Sequence, residues 1–181
     1  MKISKTFIED LLVVEPRLFK DERGFFYESF NKNNLDKIVN VVFVQDNESK
    51  SYKGVVRGLH FQRPPFEQTK LVRCVSGKIL DVAVDLRVNS KTYGKSFSIE
   101  LSSENNKQLF VPKGFAHGFQ VLSETAIVNY KVDNFYNPEF DSGIIWNDKD
   151  FSIDWNLDLK PIISEKDLKL KLFKNLKSPF Y

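Results

Sequence analysis

Short apolar runs broken at close intervals by Gly, Pro, Asn or Asp dominate the chain, and their period is that of strands. Strands are expected at 11–14 and 25–28, separated by the charged turn Asp21-Glu22-Arg23-Gly24. The series continues at 41–45, 54–61, 70–75, 78–86, 95–101, 107–111, 118–122 and 125–132, with Ser76-Gly77 closing a hairpin. Within Asp81-Val82-Ala83-Val84-Asp85 the acids fall on one face and Val82 and Val84 on the other, so one face can line a polar interior. Strands at this spacing predict a mainly β chain, an all-β sandwich or barrel. A short helix is expected near 33–39, with Asn33 or Asn34 as N-cap and Leu35, Ile38 and Val39 at helical spacing. A C-terminal helix is expected near 164–176, capped by Ser164 with Asp167 at N3 and striped by Leu168, Leu172, Phe173 and Leu176. The nearby Lys166, Lys169, Lys171, Lys174 and Lys177 read as a solvated face. Trp146 and Trp155, in the looser stretch after Asn137-Pro138, are expected to plug a barrel end.

Composition narrows this picture. With 181 residues, 41 % hydrophobic and 28 % charged, one domain spanning 1–181 accommodates the whole pattern, and no repeat or linker divides it. Seventeen phenylalanines favour strands. A net charge of +3 gives no argument for nucleic acid, although a few clustered arginines could hold a phosphorylated small molecule. The lone Cys74 leaves no intramolecular disulfide and suits a reducing compartment and a core position. Neither a signal peptide nor a membrane span is legible, so the cytoplasm is the expected location.

The candidate chemistry centres on two histidines, His60 in Arg57-Gly58-Leu59-His60-Phe61-Gln62 and His117 in a strand-turn-strand pattern beginning at Val111-Pro112. Without a G-x-S-x-G elbow or a G-x-x-x-x-G-K-[ST] loop, nucleophilic hydrolysis and P-loop phosphate binding find no support. Arg23, Arg57, Gln45 and Asn47 could grip phosphate oxygens; scattered surface polarity is the plainer reading of their spacing. Pro112-x-Gly114-x-x-His117 resembles the second signature motif of the cupin superfamily, whose first motif contains H-x-H. Here that stretch reads His60-Phe61-Gln62, so a complete metal-ligand set is not expected and no cofactor is implied. A histidine free of metal can take a proton from a carbon beside a ketone if the enolate is stabilised, a role suited to Lys70, and a tyrosine such as Tyr130 could return the proton from the other face. The residues by themselves lead to acid–base catalysis in a β-barrel.

A resemblance carries the reading further. Asp21-Glu22-Arg23-Gly24-Phe25-Phe26, Gln45-Asp46-Asn47, Arg57-Gly58-Leu59-His60-Phe61-Gln62, Lys70-Leu71-Val72-Arg73, Asp81-Val82-Ala83-Val84-Asp85, Gly114-Phe115-Ala116-His117-Gly118-Phe119 and Tyr130-Lys131 stand in order along nearly the whole chain. With them the sequence resembles the dTDP-4-dehydrorhamnose 3,5-epimerase family. The resemblance implies a metal-free cupin-type jelly roll, a homodimer exchanging an N-terminal strand, and epimerisation of C3 and C5 of a nucleotide-linked 4-keto-6-deoxyhexose. By the same likeness His60 is the base paired with Asp167, Tyr130 the opposing acid and Lys70 the enolate stabiliser. Arg23, Glu28, Gln45, Asp46, Asn47, Arg57, His117 and Lys166 would contact the nucleotide sugar, with Tyr136 stacked on the base. Asp141 stands where such proteins often carry glutamate, a shorter reach near the nucleotide. Competing expectations are an epimerase acting at one carbon or on another nucleotide such as GDP, and a non-catalytic nucleotide-sugar-binding cupin.

Overall fold

A computed structural model describes residues 1–35 and 39–181. Among these residues a six-stranded and a five-stranded antiparallel sheet face each other, with a separate two-stranded ribbon. The first sheet runs in the order β1 (Lys2–Lys5), β2 (Leu12–Glu15), β10 (Gln108–Val111), β7 (Lys70–Ser76), β12 (Thr125–Val132) and β5 (Gln45–Tyr52). The second holds β13 (Asp141–Gly143), β6 (Val56–Gln62), β11 (Phe115–Val121), β8 (Lys78–Asp85) and β9 (Ser96–Ser102). The ribbon pairs β3 (Phe19–Asp21) with β4 (Gly24–Phe26). This is the cupin-type jelly roll.

Three apolar clusters hold the layers. Between the sheets, Val72, Cys74, Ile79, Ala83, Leu109, Phe119 and Val128 interdigitate. On β8 the period of two divides the burial: Ile79 and Ala83 point between the sheets, while Val82 and Val84 pack outward against Trp146, Phe151, Trp155 and Phe180. The central strands β8 and β11 are thus buried on both faces, which accounts for their dense apolar text. The tryptophans are buried as expected, but they cover the outer face of the five-stranded sheet, not a barrel end. There the Trp155 indole N–H donates to the Trp146 carbonyl at 2.8 Å. The third cluster covers the outer face of the six-stranded sheet, where Leu12, Val14, Leu71 and Phe110 meet Leu35 and Val41.

The structure corrects several expected elements. Residues 41–44 are not a strand; Val41 is buried against the outer sheet face while Val42 and Val44 are exposed. The strand begins at Gln45 and continues through polar residues, because β5 sits at a sheet edge with one face toward the interior cavity and the other toward solvent. Helix α1 spans Lys32–Leu35, its first turn met by the Asn31 side chain, which accepts from the Asn34 N–H. The remainder of the helix expected near 33–39 includes 36–38, outside the described residues. The long C-terminal helix is replaced by one turn, α2 (Glu165–Leu168), and a 3-10 turn at Phe173–Asn175. Between them Lys171 is drawn into a bridge with Ile144, its carbonyl accepting from the Ile145 N–H, so a continuous helix cannot form. Leu168 and Leu172 of the apolar stripe are left exposed.

Candidate active site

One end of the space between the sheets opens into a cavity of about 490 Å³. His60 and His117 reach it from the five-stranded sheet, and Lys70 and Tyr130 from the six-stranded sheet. The two halves therefore face each other across the cavity.

A local irregularity places the first half. Between Arg57 and His60, β6 spends two residues, Gly58 and Leu59, where its partner β11 spends one, Gly118. This bulge brings both Arg57 and His60 to the cavity, although three residues apart they would occupy opposite faces of a regular strand. Only glycine fits at its centre. Gly58 has φ +123°, and an added Cβ would lie 2.6 Å from Gly118 Cα and 2.9 Å from the His117 carbonyl oxygen. The same register sets His60 directly opposite His117.

Each histidine is held by a carboxylate. His60 Nε2 lies 2.7 Å from Asp167 Oδ1, and Asp167 Oδ2 accepts the Gly58 backbone N–H at 3.3 Å. Asp167 is fixed in turn by the Ser164 cap of α2, which receives the Asp167 N–H, as the sequence predicts. Burial opposes ionisation of Asp167, but the His60 ring, the Gly58 N–H and Ser164 together bring its carboxyl below the usual range. His117 Nε2 lies 2.9 Å from Asp81 Oδ1 in a buried pair. In both rings Nδ1 is the nitrogen left for another partner.

The opposite wall is electrostatically different. Burial lowers the Lys70 ammonium to about 8, with the charges of Asp81 and Asp141 opposing the fall. Its Nζ stands 5.9 Å from the centroid of the Tyr130 ring. Burial raises the Tyr130 hydroxyl; Arg57 opposes this and Asp141 adds to it, so the phenol stays protonated at neutral pH. An imidazole nitrogen, an ammonium and a phenol thus converge on one cavity.

The remaining expected residues divide into four groups. Arg57, its Nε donating to Ser51 Oγ at 3.0 Å, His117 and Lys166 line the cavity. Gln45 and Asn47 share the inward face of β5, linked side chain to side chain at 2.8 Å, and Asn47 is in register with Tyr130. Asp141 and Tyr136 join the site through Lys166, which lines the cavity: Asp141 accepts from the Tyr136 hydroxyl at 3.1 Å and pairs with Lys166. Three are not brought in. Asp46 points to the other face of β5 and pairs with Lys131, since neighbours on a strand face opposite ways. Arg23, paired with Asp21 on the exposed β3–β4 ribbon, and Glu28, bonded to Asn31, lie away from this cavity. Ser49, Val55, Val56, Phe119, Ile162 and Ile163 also line the cavity and were not picked out from the sequence as site residues. Ser49 was findable: Gln45, Asn47, Ser49 and Ser51 alternate with outward residues once the strand is started at Gln45.

A jelly roll that sets a carboxylate-held imidazole against a lysine and a protonated tyrosine defines an acid–base enzyme of the cupin class, and comparison with known proteins identifies its kind. The model of the dTDP-4-dehydrorhamnose 3,5-epimerase family matches residues 5–175, and the chain belongs to that family. It is 54 % identical over 172 residues to dTDP-4-dehydrorhamnose 3,5-epimerase of Escherichia coli (strain K12), covering 94 % of this chain and 93 % of that one. It also resembles the crystal structure of the 3,5-epimerase from Legionella pneumophila in complex with dTDP-4-keto-L-rhamnose, with TM-score 0.95 and 43 % identity over 99 % of this chain and 98 % of that one. The Bacillus anthracis enzyme with TDP and pyrophosphate bound gives TM-score 0.92 and 50 % identity, covering 94 % and 98 %.

Proposed function

We propose that this chain epimerises C3 and C5 of dTDP-4-dehydro-6-deoxy-D-glucose to give dTDP-4-dehydro-L-rhamnose. The observation that carries the reading is His60 on one sheet, held by Asp167 of α2, facing Lys70 and Tyr130 on the other. Asp167 fixes the His60 ring so that Nδ1 meets the substrate. The imidazole takes the proton from the carbon beside the C4 ketone, and the C–H electron pair moves onto O4. Lys70 stabilises that oxygen as it gains charge. Tyr130 then delivers a proton to the opposite face, and the carbon inverts; solvent exchange resets both groups. Repetition on the other side of the ketone inverts the second centre. Arg57, Gln45, Asn47, His117 and Lys166 hold the nucleotide sugar, with Asp141 and Tyr136 at the mouth.

The working unit is a homodimer. β1 lies at an open edge of the six-stranded sheet, and the β3–β4 ribbon exposes Phe19, Phe25 and Phe26. A second copy covering these surfaces would give Arg23 and Glu28 a site to join, which a single chain does not.

Turnover of the 4-keto sugar nucleotide in D2O tests the reaction: deuterium enters at both C3 and C5. Label at one carbon would reduce the activity to a monoepimerase, and label at neither would leave a binding protein. His60→Ala is expected to lose exchange by about 10²- to 10⁴-fold while still binding the nucleotide; undiminished exchange would remove His60 from the mechanism.

A further inference from the structure

Gln62 stands where the cupin pattern has its second histidine, and neither the acid–base steps nor the cavity wall uses it. Two residues beyond His60 on β6 it faces inward again, and it is buried. Its side-chain amide is committed to backbone. Nε2 donates to the carbonyls of Phe66 at 2.7 Å and Phe135 at 3.1 Å, and Oε1 accepts the Asn137 N–H at 2.7 Å. Both amide hydrogens are spent in this way, with one lone pair of the oxygen. Phe135 and Asn137 are the two residues that flank Tyr136.

The same residue sets the other end of the Tyr136 contact. Asp141, which accepts from the Tyr136 hydroxyl at 3.1 Å, is the register partner of Gln62 where β13 pairs with β6. Gln62 thus fixes the Asp141 backbone through the ladder and the backbone around Tyr136 through its amide. The Tyr136 side chain is exposed, so packing does little to hold it, and its own N–H reaches Gln45 at a longer 3.4 Å. Bonds between the 63–68 and 133–140 loops meet the second loop nearer its ends: Gln68 donates to the Asn134 carbonyl at 2.8 Å and Arg63 to the Glu139 carbonyl at 2.6 Å. From Asp141 the connection continues to Lys166 and so to the cavity.

We propose that Gln62 is a positioning residue for the nucleotide end of the site: its amide clasps 135–137 so that Tyr136, braced on Asp141, presents its ring to the base. That a base meets Tyr136 rests on the epimerase reading; the clasp on 135–137 does not.

The test uses the full chain, Gln62→Met, Tyr136→Ala and the double variant. Hydrogen exchange read by mass spectrometry follows the clasp with no ligand present: exchange across 133–141 rises at least about tenfold in Gln62→Met, while β8 and β11 exchange as in the parent. Stacking a base on an aromatic ring is worth about 5- to 150-fold in affinity. Tyr136→Ala and Gln62→Met are therefore each expected to raise the Kd of dTDP by about tenfold or more, with no further rise in the double variant. Inhibition by inorganic pyrophosphate, which has no base, stays at the parent value; for the 4-keto sugar nucleotide KM rises while kcat holds within about twofold. Where Gln62→Met does not fold, Gln62→Glu, of the same shape and without the two donors when ionised, takes its place. Unchanged exchange across 133–141 would overturn the proposal, as would an unchanged dTDP affinity, additive losses in the double variant, or an equal loss of pyrophosphate. Raised exchange and a coupled loss of dTDP, in a chain that turns over no dTDP-4-keto sugar, would uphold the role of Gln62 and reject the epimerase reading.

Discussion

Replacing Lys70 by methionine should make the protein more stable while disabling it. Burial brings the Lys70 ammonium from 10.5 to about 8, a cost of about 3 kcal/mol at 1.4 kcal/mol per tenfold in acidity. Below pH 8 the native ammonium bears that whole cost, because the unfolded chain holds its proton easily up to about pH 10.4. Between those values the native lysine releases its proton while the unfolded one keeps it, and above pH 10.4 the penalty is gone. Lys70→Met, of similar length and without charge, should therefore gain about 3 kcal/mol at pH 6.5, or about 6–12 °C in Tm for a chain of this size. The gain shrinks through pH 8–10 and vanishes beyond it. Urea unfolding at matched protein concentration, at pH 6.5 and pH 10, measures this directly, and the concentration is held fixed because any self-association would add to apparent stability. A gain equal at both pH values, or a variant less stable than the parent at pH 6.5, would refute the reasoning.

Other outcomes follow from the same geometry. Tyr130→Phe should retain solvent exchange at one carbon while net inversion there fails, observed by following label and configuration together; equal loss of both would count against the opposing-acid role. Gly58→Ala forces a Cβ to within 2.6 Å of Gly118 in a left-handed backbone, and should cost at least about 2 kcal/mol in denaturant unfolding. Asp167→Asn should leave nucleotide affinity near the parent value and lower kcat by about 10²-fold or more, since the ring loses its fixed tautomer. Light scattering should give a dimer mass at working concentration, and a monomer would remove the proposed role of the β3–β4 ribbon.

Most strands were legible because their burial follows a period of two, and Asp81 separates from Val82 and Val84 as that period requires. β5 was misplaced because one side of it faces a polar cavity and the other water, so no apolar residue marks it, whereas the valines at 41–44 serve the outer sheet face. The C-terminal leucines imitate a helical stripe, yet Lys171 is committed to a backbone bridge with Ile144 that no local pattern encodes. In the site, His60, Lys70 and Tyr130 were picked out from the residues themselves and Asp167 through the family likeness, and all four line the cavity. Alternation alone would have separated Arg57 from His60, because the bulge at Gly58 depends on the neighbouring strand's Gly118. Arg23 and Glu28 show the other limit: the family likeness puts them at the substrate, whereas in this chain they lie away from the cavity.

The placement of the two histidines on one sheet and of Lys70 and Tyr130 on the other has a mechanical meaning. The gap between the proposed proton acceptor and the proposed donor is set by the thickness of the sandwich, filled by core residues such as Val72, Ile79, Ala83 and Val128. Shaving or swelling that filling would move the two reactive walls as a pair of jaws, mistuning the stroke of a proton across a ring while every reacting side chain remained in place.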